Sequence, residues 1–222
     1  MSDHSEKQTG IQTETISLEI QAETIIDFIR HGEPEGGRMY RGNQVDHPLS
    51  KMGWQQMHEA ISKQYMRLEA DTEFKWDLVV SSPMLRCHAF AEVIAKQFAI
   101  PLVTNELLTE ISFGDWEGKT VDEVKAADPV LFRDFHRDPV KNRPHGAESL
   151  EAFSQRITGG LSALLEEYSG KRILLVTHAG IMRTIFIHVL SAPLKSRQLI
   201  RFPYAGMLRL YATQEQKRIE YL

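Results

Sequence analysis

The sequence predicts an α/β chain folded as a three-layer sandwich, a mostly parallel central sheet with helices on both faces. Three observations predict it. Three runs, "TIIDFIR" (24–30), "DLVVSSP" (77–83) and "RILLVTH" (172–178), are rich in Val, Ile or Leu and only strand length. Their apolar residues are successive rather than alternate, which suits parallel strands covered on both faces. Helical patterns separate the runs, and strand–helix alternation is the mark of such a sandwich.

Taken in order, the first run ends at Arg30 and opens into a glycine-bearing loop. "SKMGWQQMHEAISKQYMRLEA" (50–70) has amphipathic spacing, with Ser50 as its cap. After the second run, "PMLRCHAFAEVIAKQF" (83–98) reads as a helix with Pro83 in its first turn. In "DPVLFRDFHRDPVKNRP" (128–144), Phe132, Phe135 and His136 are read either as a lid or as the core side of a helix; the phenylalanines fit the core better. "ESLEAFSQRITGGLSALLEEYSG" (148–170) carries Leu150, Phe153 and Ile157 at core spacing and closes on Gly170 as a C-cap. "IMRTIFIHVL" (181–190) is a further helix, and "MLRLYA" and "KRIEYL" flank a polar turn as an edge hairpin. Residues 1–22 are expected to form a flexible N-terminal segment, and residues 23–222 a single catalytic domain.

Composition narrows the function. Hydrophobic residues are 42% and charged residues 25%, enough for a real core. A net charge of −4 gives no bulk electrostatic case for a nucleic-acid partner, although clustered arginines can still hold a small anion. The single cysteine, Cys87, rules out a disulfide framework within the chain. No run approaches a membrane span and the N-terminus has no signal-type apolar core, so no membrane partner and a cytoplasmic location are expected.

The chemistry sits at three strand ends. In open α/β sheets the ligand crevice lies beyond the carboxyl ends of the strands. Arg30 and His31 end the first run; Arg86 in "SSPMLR" lies about one turn into the helix after the second; His178 and Gly180 in "THAG" follow the third. Guanidinium forks and a helix N-terminus match phosphate oxygens, and imidazole is the side chain best suited to be a neutral nucleophile near pH 7. Together they look built for a phosphoryl group. A phosphate ester also needs its leaving oxygen protonated. In "LLTEISFGDWEG" (107–118) Glu110, after an apolar pair, is the expected acid, because a carboxyl beside a phosphate dianion in a partly apolar pocket has its pKa pushed up. Glu117 is the alternative, otherwise a loop tie.

The segments "RHGE", "SSPMLR", "LLTEISFGDWEG", "HGAES" and "VTHAG" resemble, in order, those of the histidine phosphatase superfamily with its phosphoglycerate-mutase-like fold. The resemblance implies His31 as the nucleophile that becomes phosphohistidine. It implies Arg30, Arg86 and His178 as ligands of the transferring group, and Glu110 as proton donor. Fixed cations would replace a metal, so neither metal nor cofactor is expected. "FGDWEG" resembles the phosphatase branch, and the first loop is similar to that of the alpha-ribazole phosphatases. The expected reaction is hydrolysis of a small phosphate ester, alpha-ribazole phosphate among the candidates. A phosphoglycerate-type mutase and a phosphate-binding module without turnover are the alternatives. At the substrate end Arg38, Arg41, Gly42, His145 and Ala179 are the expected contacts, with Glu148 a border residue or helix start. Small enzymes with an edge hairpin often dimerise, so a homodimer is a candidate assembly, although the sequence does not fix the oligomeric state.

Overall fold

A computed structural model describes residues 22–68 and 75–222. The N-terminal segment expected to be flexible therefore lies, except for residue 22, outside the described residues. Strand β1 (Thr24–Arg30) leads through a long loop to α1 (Lys51–Leu68), then β2 (Leu78–Ser81), α2 (Leu85–Phe98) and β3 (Leu102–Thr104). Two short helices, α3 (Val121–Ala127) and α4 (Pro129–Arg137), precede α5 (Leu150–Glu167), β4 (Arg172–Thr177) and α6 (Ala179–Val189). The hairpin β5 (Met207–Ala212) and β6 (Lys217–Tyr221) ends the chain.

One six-stranded sheet runs β3-β2-β4-β1-β5-β6. β1, β2, β3 and β4 pair in parallel, and the hairpin joins through β5, antiparallel to β1. The expected edge hairpin is present, with β6 as the outermost strand and β5 joining it to β1. The successive apolar residues are explained by both faces being covered. On β4, Ile173 and Leu175 pack beneath α5 and α6 with Phe153, Ile157 and Met182. Leu174 and Val176, pointing the other way, meet Met57 of α1 and Phe90 and Ile94 of α2. Each such fully buried aliphatic side chain stabilises the fold by about 1.5–3 kcal/mol.

Sequence signals set several boundaries. Ser50 Oγ accepts the Gly53 N–H at 3.1 Å, and Ser149 Oγ accepts the Ala152 N–H at 3.1 Å, so both act as N-caps. Others shift. Helix α2 starts at Leu85, with Met84 extended at its cap, so Pro83 belongs to the preceding turn. Helix α5 is capped by Tyr168, and Gly170, at φ +74°, turns the chain into β4 beyond it. Strand β3 and helix α3 are not anticipated. β3 has only three residues, none fully buried, so its apolar signal is weak. α3 carries a capping box, Thr120 with Glu123, in "TVDEVKAA". Helix α4 buries no residue fully, so Phe132 and Phe135 are not main-core residues. They pack instead against Trp116, with ring centroids 6.4 and 4.9 Å away.

Candidate active site

Parallel pairing brings the strand ends together. β4 lies between β2 and β1, and the His31 N–H continues the ladder by donating to Thr177 O at 2.8 Å. Arg30 and His31 thereby leave the sheet beside His178. A cavity of about 700 Å³ opens over these ends, and Arg30, His31, Arg86, Glu110 and Ala179 all lie on its wall. Arg38, Arg41 and Gly42 line it from the first loop.

His31 is nearly buried, 7% exposed, and its Nδ1 pairs with Gly32 O at 2.8 Å. The carbonyl can only accept, so Nδ1 carries the hydrogen and Nε2 keeps its lone pair. Burial, then the guanidiniums of Arg86 and Arg30, hold the His31 pKa well below the ordinary histidine value. The ring is neutral near pH 7. His178 packs edge-on against it, with ring centroids 5.3 Å apart, and its pKa is depressed first by burial and then by Arg86. His178 is fully buried and is not part of the cavity wall; its Nε2 lies 2.7 Å from Ser82 Oγ, which fixes the ring beside His31.

The arginines are held by neutral oxygens. Arg30 Nη1 donates to Phe202 O at 2.7 Å, and its guanidinium lies 4.1 Å from the Tyr204 ring centroid. Arg86 Nη2 donates to Gly42 O at 2.8 Å and Nη1 to Val45 O at 3.1 Å, with Asp46 Oδ1 3.6 Å away. Arg41 Nη2 donates to Glu35 O and Gly37 O at 2.5 and 2.6 Å, closing the loop on itself. Arg38 is exposed on the rim.

The two candidate acids differ. Glu110 spans the start of α6: Oε1 accepts the Ile111 N–H at 2.9 Å and Oε2 the Gly180 N–H at 3.0 Å. A Cβ at Gly180 would come within 2.1 Å of Glu110 Oε1, so the carboxyl keeps this position only beside a glycine. Glu117 is a loop tie, accepting from Ser112 Oγ at 3.0 Å and from the Phe113 and Gln44 N–H groups at 2.8 Å each. His145 is not on the cavity wall; its side chain is 92% exposed and pairs with Asp115 at 3.5 Å. Glu148 is clamped by Arg156 at 2.8 Å. The Cys87 thiol lies 3.6 Å from His178 Nε2, and burial pushes its pKa up, so it stays a thiol. Among the described residues, no group of three or more His, Cys, Asp or Glu could hold a metal ion, and no helix is long and apolar enough to cross a membrane.

Sequence reasoning missed Tyr204 and Arg183, which also line the cavity; His136, read from sequence as part of a lid or of a helix's core side, lines it too. Arg183 was findable: it follows the end of β4 closely and lies in the next helix, as Arg86 does after β2. Tyr204 lies in an irregular segment between α6 and β5 and carries no local signal.

The family model for the histidine phosphatase superfamily (branch 1) matches residues 26–222, and the chain belongs to that superfamily. It is 26% identical to the uncharacterized phosphatase PhoE of Bacillus subtilis over 198 residues, 89% of this chain and 93% of that one. The bifunctional protein Rv2228c of Mycobacterium tuberculosis is 31% identical over 152 residues, 68% of this chain, and the match spans only 40% of its length. Phosphoserine phosphatase 1 of Hydrogenobacter thermophilus is 27% identical over 172 residues, 75% of this chain and 76% of that one. Among solved structures, Bacillus stearothermophilus YhfR superposes with a TM-score of 0.78 at 26% identity, covering 89% of this chain and 96% of that one. The alpha-ribazole phosphatase of Shigella flexneri, at 23% identity and a TM-score of 0.75, covers 89% and 95% and shares the fold.

Proposed function

We propose that the protein is a phosphomonoesterase that hydrolyses a small phosphate ester through a phosphohistidine on His31. The observation that carries the reading is the state of His31: a neutral ring whose Nδ1 is spent on Gly32 O, with Nε2 unpartnered among the described residues and two guanidiniums sharing the cavity wall. The Nε2 lone pair attacks phosphorus in line, and the bond from phosphorus to the ester oxygen breaks. Arg30 and Arg86 neutralise the equatorial oxygens, worth more in a site shielded from water than in bulk. His178, packed edge-on against His31, supports its ring. Glu110 is the group placed to give a proton to the departing alkoxide and then to take one from the water that attacks the phosphohistidine. Inorganic phosphate and neutral His31 are released. The lone buried Cys87 supports a cytoplasmic setting. Relatives named for alpha-ribazole and phosphoserine esters make those the first two substrates to assay.

The test is turnover of p-nitrophenyl phosphate and trapping of labelled phosphate. His31→Ala is expected to lose at least about 10⁴-fold in kcat, and unmodified protein to carry label that acid removes and alkali spares. Full activity in the variant, or label on another side chain, overturns the reading. Bisphosphate-dependent isomerisation of phosphoglycerate would identify a mutase instead.

A further inference from the structure

Beside the main cavity lies a second chamber of about 270 Å³, and Tyr40, Glu110, Phe113, His136 and Arg183 face both spaces. Four guanidiniums line the second chamber: Arg143, Arg183, Arg197 and Arg201. Among the described residues, Glu110 is the one carboxylate on its wall. Three of the arginines are pinned by backbone oxygens. Arg143 Nη2 donates to Ser112 O at 2.7 Å, Arg183 Nε to Ile200 O at 2.9 Å, and Arg197 Nη2 to Gly180 O at 3.2 Å. None of the four forms an ion pair among the described residues. Glu148, held by two hydrogen bonds from Arg156, is not on the chamber wall and acts on Arg143 and Arg197 only at a distance.

Arg143 Nε and Arg197 Nε are buried without a hydrogen-bond partner. Burial lowers the pKa of both guanidiniums to about 10; Glu148, Glu151 and Glu110 oppose this at Arg143, and Glu110 and Glu148 oppose it at Arg197, where Arg183 and Arg143 add to it. Like charges are thus crowded in a partly desolvated space with one carboxylate among them. Such crowding is unfavourable unless an anion completes it, and guanidinium forks match carboxylate and phosphate oxygens in pairs. The shared wall is the decisive feature. A molecule whose ester phosphate lies against His31 can extend past Glu110 and Arg183 into the chamber.

We infer that the chamber is a second anion subsite, and that the substrate is a phosphate ester bearing a further carboxylate or phosphate group, held by Arg143, Arg183, Arg197 and Arg201. The inference rests on the phosphatase reading of the first cavity. An ester whose only charge is its phosphate would leave the four guanidiniums with Glu110 as the one carboxylate on the chamber wall among the described residues.

The test is titration calorimetry at 0.15 M salt on the His31→Ala protein, so that no ligand is turned over. Glycerol 3-phosphate, 3-phosphoglycerate and 1,3-propanediol bisphosphate serve as probes with one phosphate, an added carboxylate and an added phosphate. At least one doubly anionic probe is expected to bind at least about tenfold tighter than glycerol 3-phosphate, and which one gains tells carboxylate from phosphate. Adding Arg201→Gln, an exposed residue without hydrogen bonds among the described residues, should shrink that preference. Arg143→Gln with Arg201→Gln should bring it below about threefold. Equal affinities for all three probes, or a preference untouched by the double substitution, would overturn the inference. Turnover of p-nitrophenyl phosphate by unmodified protein separates the two readings. Preference without turnover supports the subsite and sinks the phosphatase; turnover without preference does the reverse.

Discussion

Two arginines in this molecule are almost equally buried and do opposite things. Arg209 on β5, 7% exposed, gives Nε and Nη2 to the two oxygens of Asp27 at 2.6 and 2.9 Å, and Trp76 adds an indole N–H at 2.9 Å. Burial works against the charge on Arg209, but the hydrogen bonds and proximity of Asp27 outweigh it and raise its pKa. Arg86 at the start of α2, 1% exposed, is held instead by the carbonyls of Gly42 and Val45. The nearest acid, Asp46, is 36% exposed, 3.6 Å away, and also engaged by the Leu85 N–H. A carboxylate cancels a guanidinium; a carbonyl only aims it. The first arrangement closes a core, and the second leaves positive charge facing a cavity. A chain of net charge −4 can in this way present a cationic pocket.

That contrast can be broken by experiment. The largest stability effect is expected from Asp27→Ala, which strands a buried cation and should cost about 3–5 kcal/mol in urea unfolding, with kcat/KM per folded molecule little changed. Arg86→Ala should invert the pattern. There kcat/KM for p-nitrophenyl phosphate is expected to fall about 10²–10³-fold, roughly 2.7–4 kcal/mol of transition-state stabilisation, with much less lost in unfolding. Equal stability losses in the two variants would erase the distinction between a paired and an aimed guanidinium.

The smallest effect is in pH. The folded-state pKa values of His31 and His178 lie well below 6.5, depressed first by burial. Between those values and 6.5 the unfolded chain binds more protons than the folded one, so stability is complete above about pH 6.5 and falls as pH drops. Each histidine contributes a slope of at most about 1.4 kcal/mol per pH unit, measurable by urea unfolding at pH 7.5 and 5.5. For the same reason the acid limb of kcat/KM should lie below pH 6.5. A limb near 7 would mean that His31 is not the neutral group described.

Much of the frame was readable along the chain because local rules govern it. Strand β1 coincides with "TIIDFIR", and Ser50 and Ser149 cap the helices they were read to cap. Glu117 illustrates the limit. It stands seven residues from Glu110 with the same chemistry, and only the fold assigns one to the cavity and the other to a loop. His145 shares a motif with the site yet points to solvent. His178 ends its strand as expected but is held by Ser82, a hydrogen bond spanning 96 positions.

What the sequence determined by itself was which residues end parallel strands, since burial on both faces imposes continuous apolar runs and the chemistry begins where they stop. Pairing β4 between β1 and β2, recruiting Tyr204 and Arg183, and gathering four guanidiniums beside Glu110 were decided by tertiary structure alone. Those positions are far apart in the chain. Their proximity follows from strand order and packing, which no local pattern encodes.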